Sequence, residues 1–166
     1  TLALALRLES VQTRIVSWLA DKATEKLGYP CRIGGFYLDW VDFARARDVL
    51  VLDKEGNPMI RVKEIKINLK LADLLEKNIN LDFVSLSEGL VEIRRSRKTG
   101  KLNFNGFTDA ILDWVNGGDT SRSLNPPVFT IDKSRLEAMT FGYVDETEAP
   151  LPGQFDYYHF HLDGIS

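Results

Sequence analysis

The sequence predicts an α+β fold: a mostly antiparallel sheet with an N-terminal amphipathic helix and one or two short covering helices. Three observations lead there. From Ile60 to Phe104 apolar and polar residues alternate, as in Ile65, Ile67 and Leu69 against Lys66, Asn68 and Lys70. That period of two belongs to strands with one apolar and one wet face. Between Ser10 and Leu27 apolar residues recur at helical spacing instead. Turn signals then separate the strand-like runs, at Lys54–Asn57 and at Lys98–Lys101.

The helix comes first. Ser10 is placed to cap it, and Val11, Ile15, Trp18 or Leu19, Ala23 and Leu27 form its apolar stripe. Gly28 ends it and Pro30 prevents its continuation. About 18 residues give a rod about 27 Å long. Cys31 to Trp40 reads as a strand whose adjacent Gly34 and Gly35 signal a bulge or a close backbone approach. Val49, Val51 and Asp53 lead through the Lys54–Asn57 turn into a strand from Met59, as a hairpin. Leu71 to Lys77 interrupts the alternation with a short helix.

Alternation resumes at Ile79, Leu81 and Phe83, slips phase at Val84, and returns at Val91 and Ile93 before Leu102-Asn-Phe104. Phe107, Ile111, Trp114 and Val115 mark a second helix, capped by Asn105 or Thr108 and ended by Gly117 and Gly118. Residues 117–127 have the composition of a linker. A strand pattern runs from Val128 to Tyr143, an acidic Pro/Gly loop follows, and Phe155 to Leu162 alternates again. A weak repeat runs through this half. Shifted by 50, Leu81 falls on Ile131, Leu86 on Leu136, Val91 on Phe141 and Ile93 on Tyr143, with a break near Gly89 or Ala138. Such a repeat describes a structure that grows by adding similar strand pairs.

With 166 residues and 44% hydrophobic content, one packed domain is the starting expectation. The net charge of −3, from 21 Lys+Arg against 24 Asp+Glu, lacks the basic excess that a dominant nucleic-acid or anionic-lipid footprint requires. Cys31 is alone, so neither an internal disulfide framework nor a cysteine-rich metal site is available, and it reads as inert core. Phosphate-cradling glycine motifs are absent. His159, His161 and Asp163 share a strand face and could together hold a divalent metal, but half-exposed alternation produces the same spacing. No nucleophile elbow appears, and neither an enzyme nor a cofactor is expected. Thr1 to Leu6 is too short to span a bilayer, which needs about 20 apolar residues. It reads either as the exit end of a transmembrane helix or as the first turn of the helix that follows.

The order of these elements resembles the N-terminal region of the AsmA-like family. The residues that carry the likeness are Arg32-Ile-Gly34, Asp48-Val-Leu-Val-Leu-Asp53 with Gly56, Ile65-Lys-Ile-Asn-Leu69, Leu71 to Lys77, Leu81 to Arg94 and Gly100-Lys-Leu-Asn-Phe104. The run Phe155 to Leu162 is similar to the TamB-type branch of the Bacteroidetes group, inner-membrane subunits of the translocation and assembly module. The resemblance implies an elongated, twisted, half-open sheet with an apolar inner face. It implies a periplasmic protein held in the bacterial inner membrane by a single N-terminal helix, of which residues 1–9 would be the end. Residues 10–116 would form the N-terminal α+β region, 117–127 the linker, and 128–166 the start of a continuing β-repeat in a longer protein.

The implied work is carriage of phospholipid between the inner and outer membranes, support of outer-membrane protein assembly, or both. The implied partners are phospholipid acyl chains, the inner membrane, and an outer-membrane partner of the barrel-assembly type that would dock beyond this chain. Keeping one methylene from water is worth about 0.8 kcal/mol, so exposing two acyl chains costs on the order of 20 kcal/mol. A continuous apolar path answers that need. The expected groove takes Val49, Val51, Ile65, Ile67, Leu69 and Leu81 from the first half of the chain. Leu86, Val91, Ile93, Phe141 and Tyr143 continue it. Two other classes of function compete: an interaction scaffold that binds a partner at a strand edge, and a metal-dependent hydrolase using His159, His161 and Asp163.

Overall fold

Gly28 sets the first boundary. It adopts φ +67°, where a side chain would be strained, and its N–H closes onto Thr24 O at 2.9 Å. Helix α1 (Glu9–Leu27) ends there. In this computed structural model, which describes residues 9–39, 43–69, 79–115 and 129–166, Ser10 lies inside the helix rather than capping it. The short helix expected over Leu71–Lys77 and the 117–127 linker lie outside the described residues. Ala23 and Leu27 are buried as the stripe requires, whereas Trp18 is 59% exposed.

The strands are β1 (Cys31–Arg32), β2 (Gly35–Asp39), β3 (Phe43–Leu52), β4 (Pro58–Leu69) and β5 (Ile79–Arg95). Helix α2 (Phe107–Val115) follows, then β6 (Phe129–Ile131), β7 (Ser134–Asp145) and β8 (His159–Ile165). All belong to one open, mixed sheet in the order β1-β3-β4-β5-β7-β8, with β2 also on β3 and β6 also on β5. Neighbours are antiparallel except along β5, which pairs in parallel with β6 and β7. A parallel pair needs a long crossover, and the stretch that contains α2 supplies it. The run Leu81 to Arg94, with its phase slip and its break near Gly89, is one continuous strand, the 17-residue β5. The break between β1 and β2 answers the paired glycines. A Cβ on Gly34 would lie 2.8 Å from Asp48 Cβ, while Gly35 has no such constraint.

The 50-residue repeat is the register of the parallel pair. Ile79 lies opposite Phe129, Leu86 opposite Leu136 and Arg95 opposite Asp145, without slippage. One row of this sheet is unusual. Asp48 in β3, Glu88 in β5 and Ala138 in β7 have φ of 51°, 52° and 52°. The flanking pairs Arg47–Glu64 and Val49–Val62, then Ser87–Glu137 and Gly89–Met139, bring these three residues and Lys63 of β4 onto one transverse line. Lys63 Nζ lies 2.7 and 2.8 Å from the two Glu88 carboxylate oxygens. That pair is solvent-exposed and contributes little, so the ladder on both sides holds the line.

The core sits at one end of the sheet. Ala23, Leu27, Tyr29, Val51, Met59 and Phe107 form it, with Cys31, Ile60, Phe104 and Ala110 packed against it. Tyr29 and Phe104 meet the Phe107 ring edge-on, at 5.1 and 5.6 Å. Ile111, expected on the inner stripe of α2, is exposed.

Ala138 has a left-handed backbone, which costs an L-residue roughly 1–2 kcal/mol. Ala138→Gly is therefore expected to stabilise the protein by about 0.5–1 kcal/mol, after the added unfolded-state entropy of glycine is subtracted. Ala138→Val is expected to destabilise it by more than about 1 kcal/mol. Urea unfolding of the two variants checks both signs.

Candidate functional site

Along a regular strand, residues an even number apart share a face, and paired residues on neighbouring strands share it too. In β4, Ile60 and Val62 therefore share a face on one side of the Lys63 row, and Ile65 and Ile67 share a face on the other side of that row. Each long strand changes its apolar phase at the left-handed line: Ala46 to Val49 in β3, Val62 to Ile65 in β4, Leu86 to Val91 in β5, Leu136 to Met139 in β7.

The face that meets the helices is apolar in successive rows. The central row runs Cys31, Val51, Ile60, Val91, Phe141, Leu162, one residue from each of six strands. On one side of it lie Val49, Val62, Gly89, Met139 and Ile165. On the other lie Ile93, Tyr143 and Phe160. Cover fades along the row. Val51, under the helices, is 7% exposed and Leu162, on β8, is 50% exposed. Beyond β7 the face ends in an aromatic group. Tyr143 and Phe155 each stack 5.9 Å from Phe160, Phe155 meets Tyr157 at 4.9 Å, and Tyr157 is 70% exposed.

Of the groove residues expected from sequence, Val49, Val51, Val91, Ile93, Phe141 and Tyr143 share this face. Ile65, Ile67 and Leu86 lie across the left-handed line from these, aligned with Ala44, Ala46, Val84 and Leu136. Leu81 is buried, beyond a register slip at Asn68/Leu69. The Leu69 side chain lies outside the described residues. Sequence reading passed over Cys31, Ile60 and Leu162 as members of the row. Their signal was apolar character at the paired positions, visible once the register is known.

Polar groups frame the face. Across the left-handed line, at the other end of β3 and β4, Glu64 draws Lys66 to 2.6 Å, Arg45 to 3.4 Å and Arg47 to 3.7 Å. The hydrogen bond from Lys66 is the main reason that the Glu64 carboxyl lies below its usual range. The Cys31 thiol is half-buried and donates to Tyr29 O at 3.2 Å. Burial pushes its pKa up against the influence of Thr24, which makes it a poor nucleophile.

His159, His161 and Asp163 find three separate partners: Asp156 at 3.0 Å, Glu92 at 3.6 Å and the Thr140 hydroxyl at 2.8 Å. Among the described residues no group of three metal-ligating side chains converges.

A second feature lies at the strand ends. The β3–β4 turn at 53–57 and the segment 96–106 enclose a cleft of about 400 Å³. Asp53, buried in the turn, accepts the Glu55 and Asn57 N–H groups on Oδ1 at 2.9 and 2.8 Å. Ser96 Oγ donates to Glu55 at 2.6 Å, and Tyr29 OH donates to Asn105 O at 2.8 Å. Asn103 does not extend a strand. Its side chain accepts from Arg94 N at 3.0 Å and donates to Glu92 O at 2.9 Å, pairing with the end of β5.

No protein-family model matches the chain, and no curated protein or solved structure matches it. No described helix is long and apolar enough to cross a membrane.

Three carboxylates hold the loop that carries the aromatic group. The Thr147 hydroxyl donates to Asp145 at 2.6 Å and is the chief reason that its pKa lies below the usual range. Arg94 Nη1 at 2.9 Å does the same for Glu146. For Asp156, burial pushes upward, but the amides of Tyr158 and Leu151 and the His159 ring together leave the carboxyl lowered. A lowered folded pKa gives stability that is complete above the ordinary carboxylate value of about 4 and lost as the pH falls through the folded values. Loop order is therefore expected to hold at neutral pH and to fail on acidification before the β3–β4 core unfolds. Backbone amide signals of Thr147, Leu151 and Tyr158, followed by NMR through an acid titration, check this. Loop and core signals vanishing together would contradict it.

Proposed function

We propose that the chain shields phospholipid acyl chains along the apolar face that runs from α1 and α2 outward to β8, and that it works by binding rather than by catalysis. The observation that supports this reading is the six-strand apolar row with graded cover. Six strands at a spacing of about 4.8 Å span roughly 24 Å. Half of a bilayer's hydrocarbon core is about 15 Å, so one acyl chain fits along the row with room to spare. The row also runs across the strands, which is the direction in which a sheet lengthens when strands are added.

In this reading the protein is a bridge in the bacterial periplasm, anchored in the inner membrane through a single N-terminal helix. It carries phospholipid toward the outer membrane, or supports assembly of outer-membrane proteins with a barrel-assembly-type partner, as the resemblance to AsmA-like proteins implies. The half-open, elongated form of the sheet and the apolar stripe of α1 belong to the same proposal. A second reading has one observation in its favour. Among the described residues β8 pairs on one edge alone, with β7, so a partner strand could add there.

Native mass spectrometry with lipid extraction separates them. Val91→Asp, in the central row, is expected to remove bound phospholipid. His161→Lys, on the opposite face of β8 beside Glu92, is expected to leave it in place. Circular dichroism checks that both variants fold. A folded wild-type chain without lipid, or loss of lipid in His161→Lys alone, would contradict the acyl-chain reading.

A further inference from the structure

We propose that the cleft between the β3–β4 turn and the 96–106 segment is a binding site for a phosphate-bearing ligand. At about 400 Å³ it has the size of a small-ligand pocket. Its walls supply more free donors than free acceptors. Both Asp53 oxygens are engaged by the turn, Oδ1 by two amides and Oδ2 by Asn57 Nδ2 at 3.3 Å. Glu55 gives Oε1 to the Ser96 hydroxyl.

The cations are less occupied. Lys54 Nζ rests 5.4 Å from the Tyr29 ring centroid, and among the described residues neither Lys54 nor Lys101 has an ion-pair partner. Arg94, also on the wall, is held by Glu92 and Glu146 through its terminal nitrogens, while its buried Nε–H has no acceptor.

Phosphate suits this set. Its oxygens radiate in several directions and accept from two point-charge ammonium groups as well as from a guanidinium N–H. Asp53 and Glu55 are the negative charges of the lining against Lys54, Lys101 and Arg94, and they favour a singly charged phosphodiester over a dianion. The source is either a water-soluble phosphoester or the headgroup of a phospholipid. The site stands independently of any lipid on the sheet.

The test is a nitrogen-15 NMR titration of the whole chain. One arm uses glycerol 3-phosphocholine and glycerol 3-phosphate, the other a monomeric short-chain phosphatidylglycerol, each against sodium chloride at matched ionic strength. Saturable shifts are expected at the amides of Lys54, Ser96, Lys101 and Asn103. The double variant Lys54→Ala/Lys101→Ala is expected to bind at least about tenfold more weakly, since it removes two charge-assisted contacts. Lys98→Ala, a nearby surface charge outside the cleft, is expected to bind as the parent does. Lys54→Gln and Lys101→Gln singly give intermediate losses and keep the test usable if the double variant unfolds. Equal affinity in the two arms assigns a soluble phosphoester, and much tighter binding of the lipid assigns a headgroup. Shifts that fail to saturate, that sodium chloride reproduces, or that survive in the lysine variants would overturn the site.

Discussion

Backbone hydrogen bonding between β5 and β7 holds the two halves of this chain in one sheet. The pair runs in parallel, and every partner stands 50 residues from its mate. Sliding by one residue would turn each apolar side chain of β7 to the other face. The register therefore fixes where Met139, Phe141 and Tyr143 point, and with them the course of the apolar surface. The left-handed line through Asp48, Glu88 and Ala138 reinforces this register. Three residues in an unfavourable conformation are tolerated together because a ladder on each side leaves the backbone no alternative.

The line has a consequence for surface chemistry. A sheet covered on one face normally keeps its apolar residues on that face throughout. Here the phase changes within all four long strands at once, at the left-handed line. At the β1 end, α1 and α2 cover the surface and make an ordinary core. Toward β8 the same rows continue as Phe141, Tyr143, Phe160 and Leu162, with half or more of the last exposed. A surface that begins as core and ends as open face can admit an apolar ligand at one edge without a cavity being opened elsewhere.

Much of this was written in local sequence. Gly28 ended α1 and Gly56 (φ +88°) made the hairpin turn, while the 50-residue offset between Leu81 and Ile131 implied added strand pairs and not the parallel ladder that it is. Alternation named the candidate face strand by strand, and the change of phase is visible in β4 itself, where Ile60 and Val62 are even and Ile65 and Ile67 are odd. The cleft was not legible. It depends on Tyr29, Lys54, Arg94 and Lys101, which lie far apart in the chain and meet through the register of β3, β4 and β5. The exposure of Trp18 and Ile111 was hidden for a related reason: helical spacing shows that a stripe exists, not which part of it meets a neighbour.

The central claim is that acyl chains lie on one face of the outer strands. Photo-crosslinking from single positions in β8 tests it most directly, because Leu162 and His161 are adjacent and pair with Phe141 and Gly142 on opposite faces. With a photoreactive residue at Leu162, phospholipid adducts are expected in membrane-derived extracts. At His161 they are expected to be absent. Adducts of equal yield at both positions, or none at Leu162 in a folded protein, would contradict the account.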